Sequence, residues 1–321
     1  ENVGGISSYL SNLRTAESYT DLKSEVKKTL NKVPGIGPVM VQRIHKTKDS
    51  IKQLMIPGMF FEDMGIKYLG PVNGHDCGRM IQSFQEAKKV NGPVLVHVQT
   101  EKGRGYEPAR KHPARFHGTS AFNLEHGIPL KTGGKANYTD IFSTVMLKLA
   151  DRIPNLVALT AAMPDGTGLK RFRNRFPQRF FDVGIAEGHS VTFSAGLAKE
   201  GMIPFCNVYS SFMQRAYDMV IHDVALQKLH MVICLDRAGL VGEDGATHHG
   251  VFDLAYLRPI PNLVIASPLN ELDLRNLMYT GYAAFDGPFV IRYPRGKGEM
   301  KDWRNEMQVL PIGKGKKLCD G

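Results

Sequence analysis

Cysteine is scarce. Cys77, Cys206, Cys234 and Cys319 are scattered over 321 residues with no CxxC pair. That spacing argues against a disulfide framework or a cysteine-built zinc site, and it points to a reducing, cytoplasmic setting. Long hydrophobic runs are absent too. No stretch approaches the roughly 18 apolar residues that cross a bilayer. The opening Glu1-Asn2-Val3 has neither an initiator Met nor a signal-peptide pattern, so neither membrane spanning nor secretion is expected. Also missing is the interleaving of aromatic and basic side chains that stacks bases, both in Lys102–Arg115 and in the basic tail. Nucleic acid is therefore not an expected partner.

What is present is an ordinary globular composition, 42% apolar and 22% charged, long enough for about two domains. The net charge of +10 is unevenly spread, with eight Lys or Arg against three carboxylates between Arg292 and Lys317. With nucleic acid set aside, small anionic ligands such as phosphorylated metabolites are the expected partners.

Helical spacing marks residues 17–32 and 38–55, split by the turn Pro34-Gly35-Ile36-Gly37-Pro38. A strand over 66–69, a helix over 76–89 and an apolar strand over 93–99 follow, reading as the rear of a parallel-sheet domain entered partway through. Residues 101–137 are rich in Gly, Pro and basic residues, and are expected to be a structureless linker and active-site loop. From Tyr138 the pattern predicts helices over 138–152, 188–199, 211–227 and 270–283. It predicts strands over 156–160, 180–183, 203–208, 230–235, 262–266 and 288–292. Such alternation predicts an α/β fold with a doubly wound, mostly parallel sheet flanked by helices. The expected divisions are residues 1–100, 101–137, 138–305 and a linker-like tail 306–321.

In such a fold ligands gather beyond the carboxyl ends of the strands. Four places qualify. Gly184-Ile185-Ala186-Glu187-Gly188-His189 puts a carboxylate at a helix start read as solvent-facing, where it either does chemistry or complements the helix dipole. Tyr209, Phe212 and Arg215 follow the next strand, and by themselves read more readily as core residues and a solvated charge than as a site. Asp236 to Gly250 packs four glycines, two histidines and three carboxylates into fifteen residues, a density that packing alone does not explain. Arg292-Tyr293-Pro294-Arg295 places an arginine for bidentate phosphate recognition. Gly70–Asp76, Glu101–Tyr106 with Lys102, and Phe116-His117-Gly118 are weaker candidates in the first domain.

The ordered segments ENVGGISSYL, YLGPVNGHD, EKGRGYEPA with FHG, FFDVGIAEGH, VYSSFMQRAYDMVIHDVALQKL, DRAGLVGEDGATHHG and IRYPRG resemble the 1-deoxy-D-xylulose-5-phosphate synthase family. These are thiamine-diphosphate enzymes of the transketolase superfamily. The resemblance implies a thiamine-diphosphate-binding fold and a homodimer. It further implies decarboxylative condensation of pyruvate with D-glyceraldehyde 3-phosphate, the first step of the non-mevalonate isoprenoid pathway. By the same resemblance, Glu187 hydrogen-bonds the aminopyrimidine, Phe212 stacks on it, and Ile185 and Lys102 complete the cofactor contacts. Arg237 and Arg295 hold the substrate phosphate, Tyr209, Arg215, Asp244 and His248 order the substrates, and His117 approaches from the other domain. Magnesium ligands are expected in a family segment preceding ENVG, and a further domain after Gly321. Gly188 departs from the glutamine usual in the family. The alternative reading is a non-catalytic half of a split enzyme, active only with a complementary chain.

Overall fold

The computed structural model describes residues 61–314, apart from 63, 114, 120, 131–134 and 301. The helices expected over 17–32 and 38–55, the turn between them, the ENVGGISSYL segment and the end of the tail lie outside the described residues. The chain divides into two compact units, Glu1–Thr132 and Gly133–Gly321.

In the first unit, β1 (Lys67–Asn73) pairs in parallel with β2 (Val94–Gln99) across the helix Cys77–Ala87. Asp76 caps that helix, its carboxylate accepting from the Arg79 N–H at 3.1 Å, which satisfies one of the free donors of the first turn. β1 runs past the expected end at Leu69, so Gly70–Asn73 belong to the strand, with Val72 opposite Val98 and Asn73 opposite Gln99. A second correction concerns 101–137, which is not structureless. It carries the helix Glu107–Lys111 and the antiparallel ribbon of β3 (Phe122–Asn123) and β4 (Ile128–Pro129). Rings of Tyr106, Phe116 and Phe122 cluster with centroids 5.2–6.0 Å apart. Hydrophobic periodicity misses this because the order comes from three scattered aromatics rather than from a repeating face.

The second unit is a six-stranded parallel sheet: β5 (Leu156–Thr160), β6 (Phe180–Asp182), β7 (Ile203–Tyr209), β8 (Met231–Asp236), β9 (Val264–Ala266) and β10 (Pro288–Arg292), in spatial order β6-β5-β7-β8-β10-β9. The predicted doubly wound sheet is present, and alternate residues of one strand show why it needs cover on both sides. Val232 and Cys234 of β8 face a core with Phe142, Met146, Leu274 and Phe289, from the helices Tyr138–Arg152 and Glu271–Ala283 and from β10. Met231, Ile233 and Leu235 face Val191, Val220 and Val224 on the other side. Continuous apolar strands therefore bury both faces.

The segment expected as one helix over 211–227 is instead helix Ser210–Met213, a 3₁₀ turn Gln214–Ala216, helix Tyr217–Met219 and a π-helix Val220–Ala225. Changes of helical pitch rotate side chains off the regular 3.6 spacing, a local adjustment common at functional sites. Among the described residues no helix is long and apolar enough to cross a membrane.

Candidate functional site

β5 connects outward to β6, whereas β7 connects toward β8 on the other side. The carboxyl ends of β5 and β7 are thus the topological switch point, where an open α/β sheet leaves a crevice. The turn after β6 is set by Asp182, whose Oδ1 accepts from the N–H of Ala162 (2.8 Å) and of Gly184 (3.1 Å). Beyond it Ile185 is 81% exposed, an unusual position for an aliphatic side chain. Glu187 then opens the helix Glu187–Lys199. The expectation of a solvent-facing carboxylate is corrected here: Glu187 is 5% exposed and receives the Arg215 guanidinium at 3.1 Å. The sheet edge and the broken helix after β7 close over it, a tertiary effect that spacing along one helix cannot reveal. A side-chain carbon at Gly188 would sit 3.1 Å from Met219 Cε, so a larger residue there must share space with that flexible thioether.

After β7 the rings of Tyr209 and Phe212 stack at 5.3 Å, and His248 meets the Phe212 ring edge-on at 5.2 Å. The Arg215 guanidinium lies 5.7 Å from the Phe212 ring centre, and that of Arg237 4.1 Å from the Tyr209 ring centre. Burial pushes the Tyr209 hydroxyl well above its ordinary pKa, so it remains a neutral hydrogen-bonding group.

The loop after β8 is pinched at its neck by reciprocal backbone hydrogen bonds between Gly239 and Gly250, at 2.7 and 2.8 Å. A side chain on Gly250 would strike the carbonyl of Arg237 and the hydroxyl of Ser210, so only glycine lets the neck close. Within the loop His249 is structural, its Nδ1 accepting from the Val241 N–H at 3.1 Å, whereas His248 faces the aromatic pair. Asp244 sits between two arginines, 2.5 Å from Arg295 and 3.7 Å from Arg237. Arg237 is mostly committed inside the protein. Its Nη1 donates to the Gly166 carbonyl at 2.7 Å and pairs with Asp236 at 3.0 Å, while its Nε makes no hydrogen bond and meets Asp244 only as the 3.7 Å ion pair. Arg295 is the more open of the two, 36% exposed.

The second-unit candidates Glu187, Tyr209, Phe212, Arg215, Arg237, Asp244, His248 and Arg295 thus lie together beyond the carboxyl ends of the strands, with Ile185 exposed on the turn beside them. From Glu187 to Arg295 they touch in series. Lys102 and His117 lie in the first unit and meet each other, Lys102 Nζ lying 2.8 Å from His117 Nδ1. Sequence reasoning missed three contributors. The β5 loop supplies the Gly166 carbonyl, and the strand-end rule applied to β5 would have found it. Asp182 is signalled by its place at a strand end two residues before a glycine. Asp253, 1% exposed, binds Arg292 at 2.9 Å and Ser210 at 3.0 Å beneath the loop, and no local signal marks it.

Comparison with known proteins places these residues in a family context. Residues 134–300 match the family model described as transketolase, pyrimidine binding domain, and residues 1–100 that of 1-deoxy-D-xylulose-5-phosphate synthase. Proteins with the latter name from Parabacteroides distasonis and Desulfitobacterium hafniense are 61% and 51% identical to the chain, covering all of it and 51% of their own length. A solved "Split gene transketolase, inactive beta4 tetramer" is 28% identical, over 55% of this chain and 57% of that one, with a TM-score of 0.48. The chain spans about half the length of the curated relatives it matches. A transketolase pyrimidine-binding match over more than half of the chain, joined to a synthase match over residues 1–100, makes it a member of the 1-deoxy-D-xylulose-5-phosphate synthase family.

Proposed function

We propose that the protein carrying this chain condenses pyruvate with D-glyceraldehyde 3-phosphate, with loss of carbon dioxide, to give 1-deoxy-D-xylulose 5-phosphate. The observation that carries this reading is the continuity of the side-chain contacts from Glu187 to Arg295. It runs from a buried carboxylate beside aromatic and aliphatic surface to a pair of arginines bracketing one aspartate.

Thiamine diphosphate fits the first end. Glu187 is buried yet borders the exposed Ile185 and the half-buried Phe212 ring, a combination suited to an aminopyrimidine that needs one hydrogen-bonded nitrogen and two flat apolar contacts. When bound, thiamine supplies the carbanion chemistry that side chains lack. Glu187 would hold the ring nitrogen, with Phe212 and Ile185 on its faces. Lys102 of the first unit is a further cofactor contact in this reading. Magnesium in this reading is held by ligands outside the described residues, among which no three His, Cys, Asp or Glu converge.

The other end is electrostatic. Arg295, held by Asp244 with its guanidinium partly open, and Arg237, whose Nε makes no hydrogen bond, present donors for a phosphate. Tyr209 and Arg215 line the path between the two ends and order the substrates. His248, packed against Phe212, would hold or deliver a proton to the aldehyde oxygen, and His117 would take the companion role. The test is an assay of the purified protein with thiamine diphosphate, pyruvate and D-glyceraldehyde 3-phosphate. Carbon dioxide and the pentulose phosphate should appear in equal amounts. Ketol transfer between sugar phosphates without carbon dioxide would replace this reading with a transketolase.

A further inference from the structure

A second cluster of cations lies at the far end of the same unit, and the proposed reaction leaves it unused. The helix Tyr138–Arg152 begins beside the crevice, where the Thr139 hydroxyl donates to Asp236 at 3.3 Å. It ends about 22 Å away at 1.5 Å per residue, at a groove of about 330 Å³. Lys148 and Arg152 from its last turns, Arg275 from the helix Glu271–Ala283 and Arg304 from the following loop line this groove, against the carboxylates Asp151 and Glu306.

Three features make it more than a solvated basic face. Arg275 is 3% exposed; its Nη1 donates to the Trp303 carbonyl at 3.0 Å, but its Nε has no partner. Burial and the neighbouring Arg152 push its pKa down, the direction expected of a cation short of counter-charge. Arg304 is held in place, its guanidinium 4.6 Å from the Trp303 ring centre. The helix end does not oppose an anion as a bare carbonyl terminus would. Arg179 caps it, donating to the carbonyls of Ala150, Ile153 and Pro154 at 2.9–3.2 Å. Asp151 is in turn drawn to Arg175 at 2.7 Å.

We propose that this groove binds a phosphate group, free or as a small phosphate monoester, at a site separate from the crevice. Four cations against two carboxylates leave the charge that a phosphate dianion neutralises, and guanidinium forks supply the geometry. The volume admits a phosphate with a short organic group.

The experiment is a calorimetric titration of the purified protein with inorganic phosphate and then glycerol phosphate, at matched ionic strength. Trp303, the sole tryptophan of the chain, is followed in parallel by fluorescence, with Trp303→Phe identifying its signal. Saturable binding should persist in Arg295→Ala, which disables the crevice arginine. In the double variant Lys148→Gln, Arg304→Gln, whose side chains are not buried, the half-saturating concentration should rise about tenfold or more, about 1.4 kcal/mol. Saturation by glycerol phosphate but not inorganic phosphate would assign the site to monoesters. Absence of saturable binding, or saturation abolished by Arg295→Ala and unmoved by the double variant, overturns the proposal whatever reaction the crevice performs.

Discussion

At the scale of single residues, the crevice sets buried charges against each other, and their cost is measurable. Asp236 is fully buried, and desolvation pushes its pKa from the ordinary 3.8 to about 6, although Arg237 and Thr139 pull the other way. The folded protein therefore binds more protons than the unfolded chain between those values. Stability from this group is fully present below the lower value and is lost as pH rises through the upper one. The loss is on the order of 3 kcal/mol. Denaturant unfolding of wild type and Asp236→Asn should show wild type losing stability relative to the variant between about pH 4 and pH 6; a constant difference would mean that Asp236 titrates normally. For Glu187→Gln, turnover of the thiamine-dependent reaction should drop by about 10² to 10⁴, the usual worth of a positioned proton-transfer group. A drop below about tenfold would reduce Glu187 to a helix-start carboxylate. Arg295→Lys keeps the charge but loses the fork, so the apparent affinity for D-glyceraldehyde 3-phosphate should weaken by about tenfold, near 1.4 kcal/mol, while pyruvate is handled as before. Equal losses with unphosphorylated glyceraldehyde would show that Arg295 serves the fold instead.

At the scale of elements, the glycine-rich loop behaves as a closed ring rather than a flexible tether. Its neck is the Gly239–Gly250 pair, and its floor is Asp253 clamped to Arg292 and Ser210. Gly250→Ala should displace the neck and lower unfolding stability by about 1–3 kcal/mol, the usual cost of overpacking. An unchanged urea midpoint would show that the neck has slack. The loop was conspicuous in the sequence by composition, but its closure was not, because Gly250 packs not only on Arg237 and Gly239 just after β8 but also on Ser210, at the start of the helical segment after β7. The same holds for Ser210–Ala225, where a regular helix was expected and the pitch changes that carry Phe212 and Arg215 depend on packing against the helix Glu187–Lys199.

At the scale of the whole molecule, the sheet protects its thiols. Cys206 and Cys234 lie buried in adjacent strands with pKa values raised chiefly by that burial, whereas Cys77 is exposed. Peptide-resolved alkylation at neutral pH should modify Cys77 quickly, and Cys206 and Cys234 only on unfolding. Labelling of Cys206 at the rate of Cys77 would reveal local opening of β7. The net charge of +10 should also attract the two anionic substrates of the proposed reaction, so their apparent association rates should fall as salt rises. Salt-independent rates would confine the charge effect to the local arginines.

Sequence by itself determined the doubly wound sheet and the strand ends where the candidate residues lie, because apolar runs and helical spacing are local consequences of what each segment must bury. The motif resemblance added the family and the roles assigned to Glu187, Phe212 and Arg295. Only the tertiary structure decided that Glu187 is buried against Arg215, that Arg237 is spent largely on Gly166 and Asp236, and that a short helix and a β-ribbon form between residues 101 and 130. Those facts depend on which groups from distant segments compete for the same desolvated space, and periodicity along one segment carries no information about its neighbours.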